Sequence, residues 1–140
     1  MPKSGPIVLV DDDTDDQEIM QEVLRNLEVQ NNLLIFKNGQ EAVGYLKTTT
    51  DRPFLILCDI NMPVMNGLEL REAIEADPYL KDKSIPFIFI STTGNPAAVR
   101  KAYDLTVQGF FQKQNSLEQL SNDLKLIIAY WRTCLHPATS

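Results

Sequence analysis

Carboxylates dominate the chemistry available to this chain. Asp11, Asp12 and Asp13 follow directly on the apolar run Ile7-Val8-Leu9-Val10, and Asp15 and Asp16 come just after. A second apolar run, Phe54-Leu55-Ile56-Leu57-Cys58, also ends on an acid, Asp59, and the stretch Ile60-Asn61-Met62-Pro63-Val64-Met65-Asn66-Gly67 follows at once. Such a run, bounded by Pro53 and a Pro/Asn/Gly turn, reads as a strand buried on both faces. Its terminal carboxylate then emerges at the carboxyl edge of a sheet, where open α/β folds place reactive groups. Carboxylates within a few Å of one another repel unless a cation lies among them. Two acid-tipped strands therefore predict a divalent cation site with a reactive carboxylate beside it.

Other uses of the same acids compete with that reading. Asp13, Thr14 or Asp15 can cap the helix that follows. Asp11-x-Asp13-x-Asp15 with Glu22 imitates a calcium loop, but Asp16 stands where that loop needs glycine, and the preceding segment reads as strand rather than helix. Lys113 alone reads as a surface lysine, Ser91 as a strand-end polar group, and Cys58 as packing. His136, near the carboxyl end, suits neither a metal site nor phosphoryl donation.

The elements that must position these groups alternate five times. The pattern predicts strands over about 6–10, 33–36, 54–58, 85–90 and 109–112. Between them run helices from Thr14 or Asp15, with Ile19, Met20, Val23, Leu24 and Leu27 on one face, and from about Gln40 to Lys47. A third opens at Gly67, faces Leu68, Leu70, Ala73 and Ile74 inward, and ends at Asp77-Pro78. Asn95-Pro96 gives an N-cap with proline at the first helical position, opening a helix over 95–107. The last helix begins at the Ser116-x-x-Gln119 capping box, with the stripe Leu117, Leu120, Leu124, Ile127, Ile128, Trp131 and Leu135. Leu126 and Tyr130 fall off that stripe and mark a partner or homodimer face. This (βα)5 alternation predicts an α/β fold, a doubly wound parallel sheet of five strands with helices on both faces. One domain fills the chain, 1–140, with its core at about 6–135.

Composition narrows the partners. The 140 residues carry a formal net charge of −6, which argues against direct DNA binding, since that rests on neutralising phosphates. No apolar stretch approaches the roughly 20 residues of a membrane span, and the amino terminus lacks a signal-peptide core. Cys58 and Cys134, the two cysteines present, read as reduced thiols of a cytoplasmic protein rather than a disulfide.

The chain resembles the receiver domain of bacterial two-component response regulators over essentially its whole length. Four elements in order carry the resemblance: Val-Asp-Asp-Asp after strand one, Asp59 with Met62-Pro63 and Gly67, Ser91-Thr92 after strand four, and Lys113 after strand five. The resemblance implies a flavodoxin-like sheet of order 2-1-3-4-5. It implies that Asp11, Asp12, Asp59 and the Asn61 backbone carbonyl hold magnesium. Asp59 would take a phosphoryl group from a histidine on a sensor kinase or phosphotransfer protein. Ser91, Thr92 and Lys113 would meet the phosphoryl oxygens, and Ser91 with Phe110 would switch the surface that a downstream protein target reads. With no output domain, the chain is similar to stand-alone, chemotaxis-regulator-like receivers. Asp77-Pro78-Tyr79-Leu80-Lys81, Ile85-Pro86 and Thr92-Thr93 look like receivers paired with bacterial phytochrome kinases. Asn61 and Thr93 occupy positions that influence dephosphorylation in this family.

Two residues depart from the family pattern. Gln114 follows Lys113 where the family has proline in a cis peptide, and a cis bond before a non-proline residue costs roughly 2.5–4 kcal/mol. Phe110 replaces the commoner tyrosine. Two alternatives remain beside the phosphoacceptor. One is a phosphorylation-independent receiver-like interaction module, kept open by Lys113-Gln114. The other is a haloacid-dehalogenase-like phosphatase, whose signature needs threonine or valine where Asp15 stands and which leaves Asp59 without a role. In the favoured reading the protein is not an enzyme, since it catalyses only its own phosphorylation and dephosphorylation.

Overall fold

Each strand sends alternate side chains to opposite faces, and the apolar residues of this chain fill both. A computed structural model describes residues 2–92, 94–113 and 115–137. A short 3-10 turn at Pro2–Ser4 leads into β1 (Ile7–Val10), α1 (Thr14–Asn26), β2 (Leu33–Phe36), α2 (Gly39–Thr48) and β3 (Leu55–Cys58). There follow α3 (Gly67–Ala76), α4 (Pro78–Asp82), β4 (Phe87–Ser91), α5 (Pro96–Asp104), β5 (Gly109–Gln112) and α6 (Leu117–Thr133). The strands form one parallel sheet of order β2-β1-β3-β4-β5, the flavodoxin-like arrangement expected. Val8, Val10, Ile56, Cys58, Phe87 and Phe89 pack one face against α2, α3, α4 and α5. Ile7, Leu9, Leu55, Leu57, Ile88 and Ile90 pack the other against α1 and α6. Among the described residues, no helix is long and apolar enough to cross a membrane.

Register decides what reaches the sheet edge. Val10 pairs with Cys58, so β1 and β3 end level and Asp11 and Asp59 leave the sheet side by side. The main chain holds both in place: Asp59 N donates to Val10 O at 2.9 Å and Asp11 N to Phe36 O at 2.9 Å.

Several details differ from the sequence reading. Asp77-Pro78 does end α3, but it also opens α4: the Asp77 side chain accepts from Tyr79 N and Leu80 N, and Pro78 is the first helical residue. Five residues are too few to show helical periodicity, so the Asp77-Pro78 pair was read only as the end of α3 and not as the cap of a further helix. β4 starts at Phe87 and includes Ser91, because residues 85 and 86 precede the first ladder pair, Ile56 with Phe87. α5 stops at Asp104, and Thr106 takes a left-handed φ of 60° that no helix can continue through. On α6 the buried stripe is Leu120, Leu124, Ile127 and Ile128, while Leu117 and Leu135 are 61% and 96% exposed. Leu117 is the first helical residue and Leu135 lies past the last, so neither has a neighbouring element to cover it. Leu126 and Tyr130 are exposed, as expected of residues off the stripe. Both cysteines are free, Cys58 buried and Cys134 half-buried. Thr93 and Gln114, and with the latter the Lys113–Gln114 peptide, lie outside the described residues.

Candidate functional site

The acids after β1 divide their work within three residues. Asp13 caps α1, its Oδ1 accepting Asp15 N at 2.9 Å and Asp16 N at 3.1 Å, which satisfies donors that the helix itself leaves open. Asp15, weighed as an alternative cap, is exposed and does not cap. Asp11 is buried at 2% exposure; its Oδ1 accepts Asp13 N at 3.0 Å, and Gln17 Nε2 donates to its main-chain oxygen at 2.6 Å. Asp12 is exposed. With Asp59 these two form a group whose ligand oxygens all lie within 4.8 Å of one another.

Asp59 is held from behind by a close backbone approach. Its Oδ1 accepts Ile60 N at 2.8 Å, and Gly67 N donates to Ile60 O at 2.9 Å, drawing the start of α3 against the end of β3. A Cβ on Gly67 would fall on the Asp59 carbonyl oxygen and 2.7 Å from Phe89 Cε1, so the glycine is there for space. Asn66 and Glu69 close a reciprocal capping box on α3. Asn61 is exposed in the loop between β3 and α3. In the same loop Val64 adopts a φ of 67°, a genuine outlier for a β-branched residue, with its side chain 79% exposed.

Lys113 reaches the carboxylates from the end of β5. Its N donates to Ser91 O at 2.8 Å, fixing its start, and its Nζ lies 2.9 Å from Asp11 Oδ2, 2.6 Å from Asp16 Oδ2 and 3.4 Å from Asp59 Oδ2. The sequence reading brought Lys113 to Asp59 and missed Asp16. With Asp13 as the cap, Asp16 occupies the third helical position, on the turn that faces the strand ends, but nothing local in the sequence pairs it with Lys113. Ser91 is fully buried at the end of β4, and Thr92 is exposed beside it. Thr92, Asp11, Asp16, Asp59, Lys113 and Asn115 line a cavity of about 160 Å³. Phe110 is half-buried on the α5 side, 5.7 Å from the Phe89 ring, which stands 5.1 Å from Phe87.

The electrostatics follow from burying acids around one ammonium. Burial raises the pKa of Asp11, opposed by its hydrogen bonds to Asp13 N and Lys113. Burial alone would lower that of Lys113, but hydrogen bonds to Asp16 and Asp11 and the charges of Asp11 and Asp59 carry it upward. The Cys58 thiol donates to Asp59 O at 2.9 Å; its pKa is pushed well up by burial and then by Asp59 and Asp11. It is packing, as the sequence suggested. His136, set aside as a ligand, approaches Ser84 O at 3.0 Å.

This donor set fits a hard divalent cation: three carboxylates, clustered closely enough to share one ion whose oxygen ligands stand roughly 2.0–2.1 Å away. A larger cleft, about 390 Å³, lies elsewhere and is lined by Arg71, Glu75, Lys81, Thr106, Gln108 and Trp131 among others. It contains none of the clustered acids, so cavity volume does not locate the chemistry here.

Comparisons with known proteins agree with this arrangement. The family model for the response regulator receiver domain matches residues 7–125. Response regulator Rcp1 of Synechocystis sp. is 32% identical over 130 residues, which cover 89% of this chain and 87% of that protein. Chemotaxis protein CheY1 of Helicobacter pylori strain J99 is 32% identical over 122 residues, 87% of this chain and 95% of that one. Among solved structures, the phosphorylated cyanobacterial phytochrome response regulator RcpA superposes with a TM-score of 0.83 at 34% identity, covering 94% of this chain and 96% of that one. The Mn(2+)-bound form of Rcp1 gives 0.80 at 30% identity, covering 93% and 96%.

Proposed function

The chain belongs to the response regulator receiver domain family of two-component signalling, and on that premise we propose that it is a phosphoacceptor switch whose reactive group is Asp59. Receiver domains are signalling proteins rather than turnover enzymes. In this reading a phosphorylated histidine on a sensor kinase or phosphotransfer protein presents phosphorus to an Asp59 carboxylate oxygen. The P–O bond forms as the P–N bond breaks, and the histidine nitrogen keeps the bonding pair. Hydrolysis of the resulting acyl phosphate resets the switch. Residues 1–140 act as one receiver domain.

Asp11, Asp12, Asp59 and the Asn61 carbonyl would hold magnesium, which supplies positive charge to the phosphoryl oxygens when bound. The chain's own residues do the rest. The Ile60 amide orients Asp59, and Lys113 neutralises charge gathering on the phosphoryl oxygens. Ser91 and Thr92 donate hydroxyl hydrogen bonds to the same oxygens. Movement of Ser91 toward them frees space that Phe110 takes up, changing the surface of α5 and β5 that a downstream protein reads. The likeness to the phytochrome response regulator RcpA and to Rcp1 supports a phytochrome-type kinase as the donor, and the Mn(2+) of the Rcp1 structure supports a divalent ion at the acidic group.

One observation carries the reading: three carboxylates gathered within 4.8 Å, with the Lys113 ammonium 3.4 Å from Asp59. A haloacid-dehalogenase-like phosphatase would leave Asp59 without a part in that group. The test is intact mass after incubation with acetyl phosphate, with and without magnesium, for the wild type and Asp59→Asn. The expected result is one added phosphoryl group, dependent on magnesium and absent from the variant. A wild type that gains none, from acetyl phosphate or from a kinase donor, would favour the phosphorylation-independent module.

A further inference from the structure

We propose that Asp16 is a positioning residue for Lys113, competing with an incoming phosphoryl group for the lysine ammonium and so limiting how tightly the site holds that group. The inference rests on the phosphoacceptor reading above and adds a residue to it.

Three carboxylates, of Asp11, Asp16 and Asp59, surround one ammonium, yet they are not equivalent. Asp11, Asp12 and Asp59 form the cluster that suits a cation, and Asp16 is outside it. A cation among those three satisfies much of the demand that Asp11 and Asp59 place on Lys113. Asp16 is left as the uncompensated carboxylate within reach, and its 2.6 Å contact is already the shortest of the three.

Both partners are anchored by their backbones. Asp16 stands on the first turn of α1, its N bonded to the Asp13 cap at 3.1 Å. Lys113 N is bonded to Ser91 O at 2.8 Å, so its side chain chooses between Asp16 on the α1 side and Asp59 on the β3 side of one cavity. The side chains are 32% and 17% exposed, shielded enough to pair and open enough to part. A phosphoryl group on Asp59 adds negative charge on the β3 side, and Lys113 must give up Asp16 to meet it.

The experiment titrates the magnesium-saturated protein with beryllofluoride, an anionic phosphoryl mimic, following amide shifts. The proteins are wild type, Asp16→Asn and Asp16→Glu, and Lys113→Met with and without Asp16→Asn. Asp16→Asn should tighten binding by about three- to tenfold, the scale of a partly exposed charged hydrogen bond. Asp16→Glu, which keeps the charge, should stay closer to wild type. In the Lys113→Met background Asp16→Asn should change nothing, because there is no ammonium left to compete for. An equal gain in that background would mean simple relief of repulsion and would overturn the inference. So would a wild type that binds beryllofluoride with an affinity that Asp16→Asn leaves unchanged. A wild type that binds none sinks the phosphoacceptor reading and this inference together. Should Lys113→Met bind too weakly to titrate, the nitrogen resonance of the Lys113 ammonium in the magnesium-loaded protein decides. Displacement by Asp16→Asn supports the contact, and an unmoved signal overturns it.

Discussion

Replacing Arg71 by methionine tests how the fold holds the end of α5. Arg71 is on α3 with 5% of its surface exposed, yet most of its hydrogen-bond partners are on the turn after α5. Nε donates to Leu105 O at 3.0 Å and Nη2 to Thr106 O at 3.0 Å, with Thr106 Oγ1 at 3.3 Å and Glu75 Oε1 at 2.8 Å. The guanidinium carbon lies 5.4 Å from the centre of the Phe87 ring. These bonds take up carbonyls left open at the end of α5 and hold Thr106 at its left-handed φ of 60°. Hydrogen bonds from a charged donor are worth about 1.5–3 kcal/mol each. Three things reduce the sum: water can reach Thr106 and Glu75 through the adjacent cleft, methionine keeps the stem packed, and a buried cation no longer needs solvating. The expected net loss is about 3 kcal/mol, or a fall in Tm of about 10 °C for a domain of this size. Urea unfolding at equilibrium measures the first and calorimetry the second. Amide exchange at Thr106 and Val107 should also accelerate more than the global loss requires, since the turn is released locally. Arg71→Lys, which retains the charge but not the fork, should fall between. A loss under about 1 kcal/mol, or one that Glu75→Gln reproduces in full, would refute the reasoning, because the carbonyl contacts would then carry nothing.

Other substitutions test the site's supports. Gly67→Ala puts a methyl group onto the Asp59 carbonyl oxygen and the Phe89 ring; neither backbone nor packed ring can yield cheaply, so urea melts should show a loss of about 2 kcal/mol or more. Wild-type stability in Gly67→Ala would show that α3 shifts freely. Val64→Gly should stabilise by about 1 kcal/mol, because it relieves a left-handed β-branched residue that buries little in return; a destabilised variant would contradict this. The Asp11 carboxyl has its pKa raised from an ordinary 3.8, chiefly by burial. A group raised in this way contributes stability below its unfolded pKa and loses it as pH rises through the folded one. In EDTA, therefore, the wild type should lose stability relative to Asp11→Asn as pH climbs from below 3.8 and then level off. A difference that is flat, or that moves in the wild type's favour, would count against the burial argument.

How much of this was legible in the sequence depends on whether a feature is local. The strand ends at Val10 and Cys58 and the caps at Asn95 and Ser116 were readable, because each needs only a few consecutive residues. Parallel pairing then brought Asp11 and Asp59 together without further information. The contact of Asp16 with Lys113 spans 97 residues, and no spacing along the chain encodes which acid a lysine will choose. Arg71 reads as an ordinary polar helix residue until the carbonyls 34 and 35 positions away are known. Leu117 carries the right period but lies at the first position of its helix, and periodicity does not say where the covering element stops.

The most direct measurement locates the phosphoryl group. The protein is phosphorylated with acetyl phosphate and magnesium, reduced with borohydride to convert any acyl phosphate to an alcohol, digested, and sequenced by tandem mass spectrometry. The account predicts homoserine in place of Asp59, with Asp11, Asp12 and Asp16 intact and no conversion when magnesium is withheld. Conversion at another carboxylate, or an unconverted Asp59 in protein that has gained a phosphoryl group, would contradict it.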